Sequence, residues 1–156
     1  MKYICPLLVV SDIQRSREFY ENLLNQKVKF DFGENVTYDG DFAIHLQTHY
    51  EGLIDNKTIT YGSNNFELYF ENNDLEQIVQ VLKDNHVPFV HEIREQPWRQ
   101  KVVRILDPDK HIIEIGESLE HLVLRLRKEE LPAGQIAAIT SLPIELVNQI
   151  LGQKDS

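Results

Sequence analysis

From residue 3 to residue 10 the chain is apolar on both faces and rich in β-formers, the pattern of a buried strand. Asp12 ends that run and stands where a helix cap belongs. Ile13, Phe19, Tyr20, Leu23 and Leu24 then recur at roughly helical spacing as far as Asn25. Three short β-like runs follow, at 27–32, 35–38 and 42–48, separated by Gly33-Glu34 and by Asp39-Gly40, and Asp-Gly between strands favours a hairpin. The expected order over the first fifty residues is β-α-β-β-β.

Residues 50–64 are polar and glycine-containing, as in a connection, with one short strand expected around 58–61. The pattern then starts again. A strand is expected at 66–71, and Asp74 caps a helix with Gln77 in capping-box position and Leu75, Ile78, Val79 and Leu82 on one face. Strands follow at 88–93, 101–106 and 111–115, the last two joined by the turn Asp107-Pro108-Asp109. Asp12 and Asp74 are offset by 62 residues, and the same offset carries Cys5 onto Glu67. Matching element order at a fixed offset is the mark of a duplicated supersecondary unit. The fold class expected is α+β, with two βαβββ modules at 1–50 and 65–117 forming one domain, 1–117.

Beyond Glu117 the pattern turns helical. Leu119, Leu122, Val123 and Leu126 make an amphipathic turn or two. Pro132, Gly134 and Leu142-Pro143 then bracket short helices at 135–140 and 144–151. Residues 118–156 thus read as a C-terminal extension built on a helical hairpin. Helices this short are not stable alone, so they must dock on the sheet domain or on a partner subunit.

Composition narrows the function. At 156 residues and 42% hydrophobic, the chain is about one domain in size and can bury a core without disulfides or a structural metal. One cysteine, Cys5, excludes an internal disulfide and suits a reducing compartment, and no secretory leader is apparent, so a cytoplasmic protein is expected. No apolar run is long enough for a membrane span. With a net charge of −9 spread along the chain, a nucleic-acid backbone is repelled. The basic run Arg125-Leu126-Arg127-Lys128 precedes Glu129-Glu130 and suits local ion pairs. No Gly-rich phosphate loop, zinc-type cysteine pair or nucleophile elbow is present.

Three stretches carry a family likeness. Leu8-Val9-Val10-Ser11-Asp12-Ile13-Gln14-Arg15-Ser16-Arg17-Glu18-Phe19-Tyr20 resembles the opening strand, cap and "FY" helix of the vicinal-oxygen-chelate superfamily, which includes glyoxalase I, bleomycin-resistance proteins and extradiol dioxygenases. Asp107-Pro108-Asp109-Lys110-His111-Ile112-Ile113-Glu114 resembles its "DPDG-x-x-I-E" closing hairpin, and Pro97-Trp98-Arg99-Gln100 its "PWG" loop. The resemblance covers residues 3–117. It implies a cupped mixed sheet, often completed in a homodimer, that holds a small-molecule ligand on its concave face.

The same resemblance implies where chemistry would sit. Metal-dependent members draw ligands from the first and fourth strands of each module, and the corresponding positions here are Cys5, His45, Glu67 and Glu114, with Gln47 as an alternative to His45. Only Glu114 keeps the family's residue type. One His with two carboxylates suits Fe, Mn, Ni or Zn, so His45, Glu67 and Glu114 are the candidate metal and catalytic set. Without a metal, a carboxylate buried in an apolar cup can serve as a base, with His45 as its partner. Trp98 sits in a loop where an aromatic has no core duty, which suits a pocket rim. Arg99 replaces the family's glycine and either reaches an anionic ligand or lies in solvent. Two functions remain open: a glyoxalase-like lyase, isomerase or dioxygenase, and a non-catalytic binding protein like those of bleomycin resistance.

Overall fold

The computed structural model describes residues 1–152, so the last four residues of the expected extension, 153–156, lie outside the described residues. The chain forms two compact units. The first comprises Met1–Glu67 with Leu106–Ile112, and the second Leu68–Ile105 with the chain from Ile113 onward.

The first unit carries β1 (Leu7–Val10), α1 (Ile13–Arg17), β2 (Val28–Asp31), β3 (Asn35–Tyr38) and β4 (Ala43–Leu46) in a sheet of order β1-β4-β3-β2. Strand β1 runs parallel to β4, and the other neighbours are antiparallel. The Asp12 carboxylate caps α1 by accepting from the backbone of Gln14 and Arg15. The helix continues as a π-helical turn over Glu18–Leu23, which buries Phe19 and Tyr20. Leu8, Val10, Val36, Tyr38 and Ile44 are buried on one side of the sheet. The registers Val9↔His45 and Asn35↔His45 place Val9, Asn35 and His45 on the other.

The second unit repeats the plan. Strands β5 (Glu67–Glu71), β6 (Phe89–Glu95), β7 (Lys101–Leu106) and β8 (Ile112–Gly116) are ordered β5-β8-β7-β6, the first sheet's order advanced by four. Asp74 caps the helix Leu75–Asp84 by accepting from the Gln77 backbone, as Asp12 does in the first module. The duplication is therefore visible in both topology and capping.

Three expectations change. The strand begins at Leu7 rather than residue 3: Pro6 has no N–H to donate, and Tyr3 and Ile4 are exposed. The run expected to stay extended to 48 turns at Gln47 into a helix, α2 (Gln47–Leu53), and residues 58–61 form no strand. The Gln47 amide donates to Glu51 one turn on, at 2.6 Å, a local pair that favours helix over strand. With α2 in place, the Leu75–Asp84 helix is α3.

The tail is helical as expected, and the amphipathic stretch ahead of the helix pair is itself a full helix: α4 (Leu119–Lys128), α5 (Ala133–Thr140) and α6 (Ile144–Gly152). Their inner faces, Leu122, Val123, Leu126, Ile136, Val147 and Ile150, form one buried cluster. Docking the short pair on α4 supplies the burial that neither helix could find alone. No described helix is long and apolar enough to cross a membrane.

The turn between β7 and β8 is fastened by two buried carboxylates of the first unit. Asp107 accepts from the Tyr20 hydroxyl (2.8 Å), from His111 Nδ1 (2.8 Å), and from the backbone of Asp109 and His111. Asp109 accepts from the Ser11 backbone and hydroxyl and from Arg15. Burial, followed by the Asp107 charge, pushes the Tyr20 hydroxyl well above its ordinary value, so it remains a donor. Asp107→Asn should therefore cost about 3 kcal/mol, because charge-assisted bonds are lost in a dry site. Urea unfolding should show a lower midpoint at unchanged slope; an unchanged midpoint would reduce the turn to ordinary loop chemistry.

Candidate functional site

Of the expected site residues, Cys5, His45, Gln47 and Glu67 belong to the first unit and Trp98, Arg99 and Glu114 to the second. His45, near the end of β4, is buried. The Asn35 amide donates to its Nδ1 (3.1 Å), so the proton sits on Nε2, which donates to His49 Nδ1 at 2.6 Å. The two imidazoles stack with centroids 4.9 Å apart, and Tyr50 meets His45 edge-on. Burial first, and His49 second, lower the pKa of His45 below its ordinary value.

Cys5 precedes β1 as a partly buried free thiol. Gln47 opens α2 instead of continuing the strand face of His45, and its carbonyl accepts from the Tyr61 hydroxyl at 2.6 Å. Glu67 is exposed at the start of β5 and lines a shallow depression of ≈ 350 Å³ with Asn64, Asn65, Phe66 and Ile112.

In the second unit Glu114 is buried on β8, and Arg104 of β7 forms an ion pair with it. Arg104 also approaches His91 Nε2 at 3.3 Å. Gly116 lies two residues along β8, on the face of Glu114. A side chain there would come within 3.1–3.2 Å of Tyr69 and Val102, so glycine lets the Tyr69 ring lie against the strand. The Tyr69 hydroxyl accepts from Gln100 Nε2 (3.0 Å), and the Gln100 carbonyl accepts from the Trp98 indole N–H (3.0 Å). This row of Trp98, Gln100 and Tyr69 leaves both rings over two-fifths exposed, while Gln100 is buried. Burial, then the Glu71 charge, pushes Tyr69 up to about 12.

Arg99 neither lies loose in solvent nor points to an open anion site: its guanidinium pairs with Glu95 (2.7 Å) and Glu129 (2.8 Å). Sequence reasoning missed Arg104, which lies in no motif, and it gave no role to His49 or to Gln100, the last residue of the Pro97-Trp98-Arg99-Gln100 stretch. The His45-to-His49 spacing of four was the only hint of that pair, and it is legible only once a helix begins at 47.

A catalytic metal site needs about three protein ligands. Among the described residues no three His, Cys, Asp or Glu side chains gather as such a set. His45 is engaged by Asn35 and His49, and Glu114 by Arg104, so these side chains as arranged do not fit a transition metal.

The lowered pKa of His45 has a sign. An imidazole that resists protonation when folded contributes stability above its ordinary pKa of 6.5, and that stability is lost as pH falls below it, because the unfolded chain takes the proton more readily. NMR titration should place His45 below 6.5, and His49→Ala should move it back upward. A His45 midpoint above 6.5 would contradict the burial argument.

The glyoxalase-like domain family model matches residues 3–120. A protein of unknown function from Agrobacterium tumefaciens str. C58 is 39% identical, with a TM-score of 0.69 over 76% of this chain and 95% of that one. A glyoxalase-related enzyme from Fulvimarina pelagi is 18% identical (TM-score 0.63; 76% and 89% of the two chains). A lactoylglutathione lyase from Agrobacterium tumefaciens is 17% identical (TM-score 0.57; 76% and 95%). At such identity the last two attest the fold alone. No curated protein matches. The chain therefore belongs to the glyoxalase-like domain family.

Proposed function

We propose that this protein binds a small oxygenated molecule with a flat apolar body, and does so without a metal. The observation that carries the reading is the ion pair of Arg104 with Glu114. A carboxylate already matched by a guanidinium is a weak base and a poor free ligand, since the nearby cation favours its ionised, occupied form. The same face carries the aromatic ring of Tyr69 beside the Arg104–Glu114 pair, a flat apolar surface next to a polar one. The Trp98–Gln100–Tyr69 row extends that surface with a second exposed ring. The Arg104 side chain would meet the ligand's oxygens, and the rings of Tyr69 and Trp98 would cover its flat face.

A second reading has one observation in its favour. His45 is a neutral imidazole held in one tautomer, as a general base must be, so a proton-transfer enzyme acting on a similar molecule is the alternative.

Trp98 is the sole tryptophan, so its fluorescence reports this site directly. Small aromatic ketones, phenols and hydroxy acids should be titrated against it, with thermal shift as a second readout. At least one should quench saturably without being consumed, and Arg104→Gln and Tyr69→Ala should each weaken it at least tenfold. Turnover abolished by His45→Gln would install the second reading. One equivalent of tightly held transition metal per chain, by elemental analysis, would overturn the metal-free claim, since Glu114 would have to leave Arg104 to bind it.

A further inference from the structure

The loop that presents Trp98 does not hold itself. Gln96 to Gln100 closes as a turn, with Arg99 N–H donating to the Gln96 carbonyl and Gln96 N–H to the Gln100 carbonyl, both at 2.8 Å. Arg99 sits at φ +71° in that turn, a left-handed conformation that costs a residue with a Cβ about 1–2 kcal/mol. Something outside the turn must offset that cost.

The structure supplies it from α4, most of which lies beyond the 3–120 family match. Arg125 grips the buried Glu117 carboxylate with two donors, Nη2 to Oε1 at 2.6 Å and Nε to Oε2 at 3.1 Å. Its Nη2 also donates to the backbone carbonyl of Arg99 at 2.6 Å, the strained residue itself. Glu117 Oε1 accepts in turn from the Lys101 backbone, and the Glu117 carbonyl from Gln100 Nε2, so the two residues that follow Arg99 are tied to the same carboxylate residue. A ring of alternating charges closes around this grip. Arg99 bridges Glu95 and Glu129, and Arg125 Nη1 reaches Glu129 at 2.9 Å and Glu95 at 3.6 Å. Arg125 is mostly buried and Glu117 almost wholly so, which shields their grip from water and salt, while Glu95 and Glu129 stand at the exposed rim.

We infer that the C-terminal extension is a latch for the ligand face: Arg125 and Glu117 are positioning residues that hold the Gln96–Gln100 turn so that Trp98 and Gln100 stand ready for a flat ligand. The part concerning ligand rests on the binding reading above; the part concerning Trp98 does not. A guanidinium is required, because a single ammonium cannot grip the carboxylate with two donors and the Arg99 carbonyl at once.

The test compares full-length Arg125→Gln, Arg125→Lys and Glu129→Gln with Val147→Ala, which thins the tail's own core away from the latch. Trp98 emission and acrylamide quenching are read without ligand, at a temperature where circular dichroism shows each variant folded. Both Arg125 variants should shift emission to the red and raise the quenching constant at least twofold. Glu129→Gln should do so less, and Val147→Ala should lower the melting temperature yet leave Trp98 unchanged. Any aromatic ketone, phenol or hydroxy acid that binds the parent should bind Arg125→Gln at least tenfold more weakly. An unaltered Trp98 signal in folded Arg125→Gln, or an equal change in Val147→Ala, overturns the latch. Should the Arg125 variants not fold, Glu129→Gln decides alone by the same signal. Failure of every compound to bind would sink the ligand reading while leaving the latch to stand on Trp98.

Discussion

A carboxylate withdrawn from water must be answered by donors from the protein, and four acids in the last third of this fold impose that condition. Asp107, Asp109, Glu114 and Glu117 are each more than nine-tenths buried. Burying an ionised group unpaired is prohibitive, so the chain around each is committed to supplying partners. Tyr20 and His111 answer Asp107; Ser11 and Arg15 answer Asp109; Arg104 answers Glu114; Arg125 answers Glu117. In the first unit this ties the β7–β8 turn to the β1–α1 corner. In the second it ties α4 to the Trp98 turn.

The same condition divides the chemistry of the two units. In the second, Glu114 is matched by Arg104 on the neighbouring strand, and the Trp98–Gln100–Tyr69 row is held by its own side-chain hydrogen bonds. In the first, His45 gains a partner of its own kind, and two imidazoles 2.6 Å apart cannot both be charged cheaply. Neutrality and a fixed tautomer follow from Asn35 on one side and His49 on the other.

The tail shows how an added segment becomes part of a domain. Three short helices bury their own apolar cluster, so they do not borrow the sheet's core. What they lend is Arg125, placed where the Arg99 carbonyl and the Glu117 carboxylate converge. Backbone strain at Arg99 is thereby held by charge-assisted bonds from about 26 residues away in sequence, the separation of the two partners.

Periodicity, capping and turn residues were enough to read the duplicated βαβββ order, the Asp12 and Asp74 caps and the helical character of the tail, because each depends on neighbours within a few residues. The motifs around Phe19-Tyr20, Pro97-Trp98 and Asp107-Pro108-Asp109 were legible for the same reason. Tertiary structure alone decided that Gln47 starts a helix and brings His49 to His45, that Arg104 occupies Glu114, and that Arg125 reaches past its local partner Glu129 to Glu117. Those outcomes turn on which charged side chains meet across strands and helices once water is gone, and a pattern of local spacings carries no record of them.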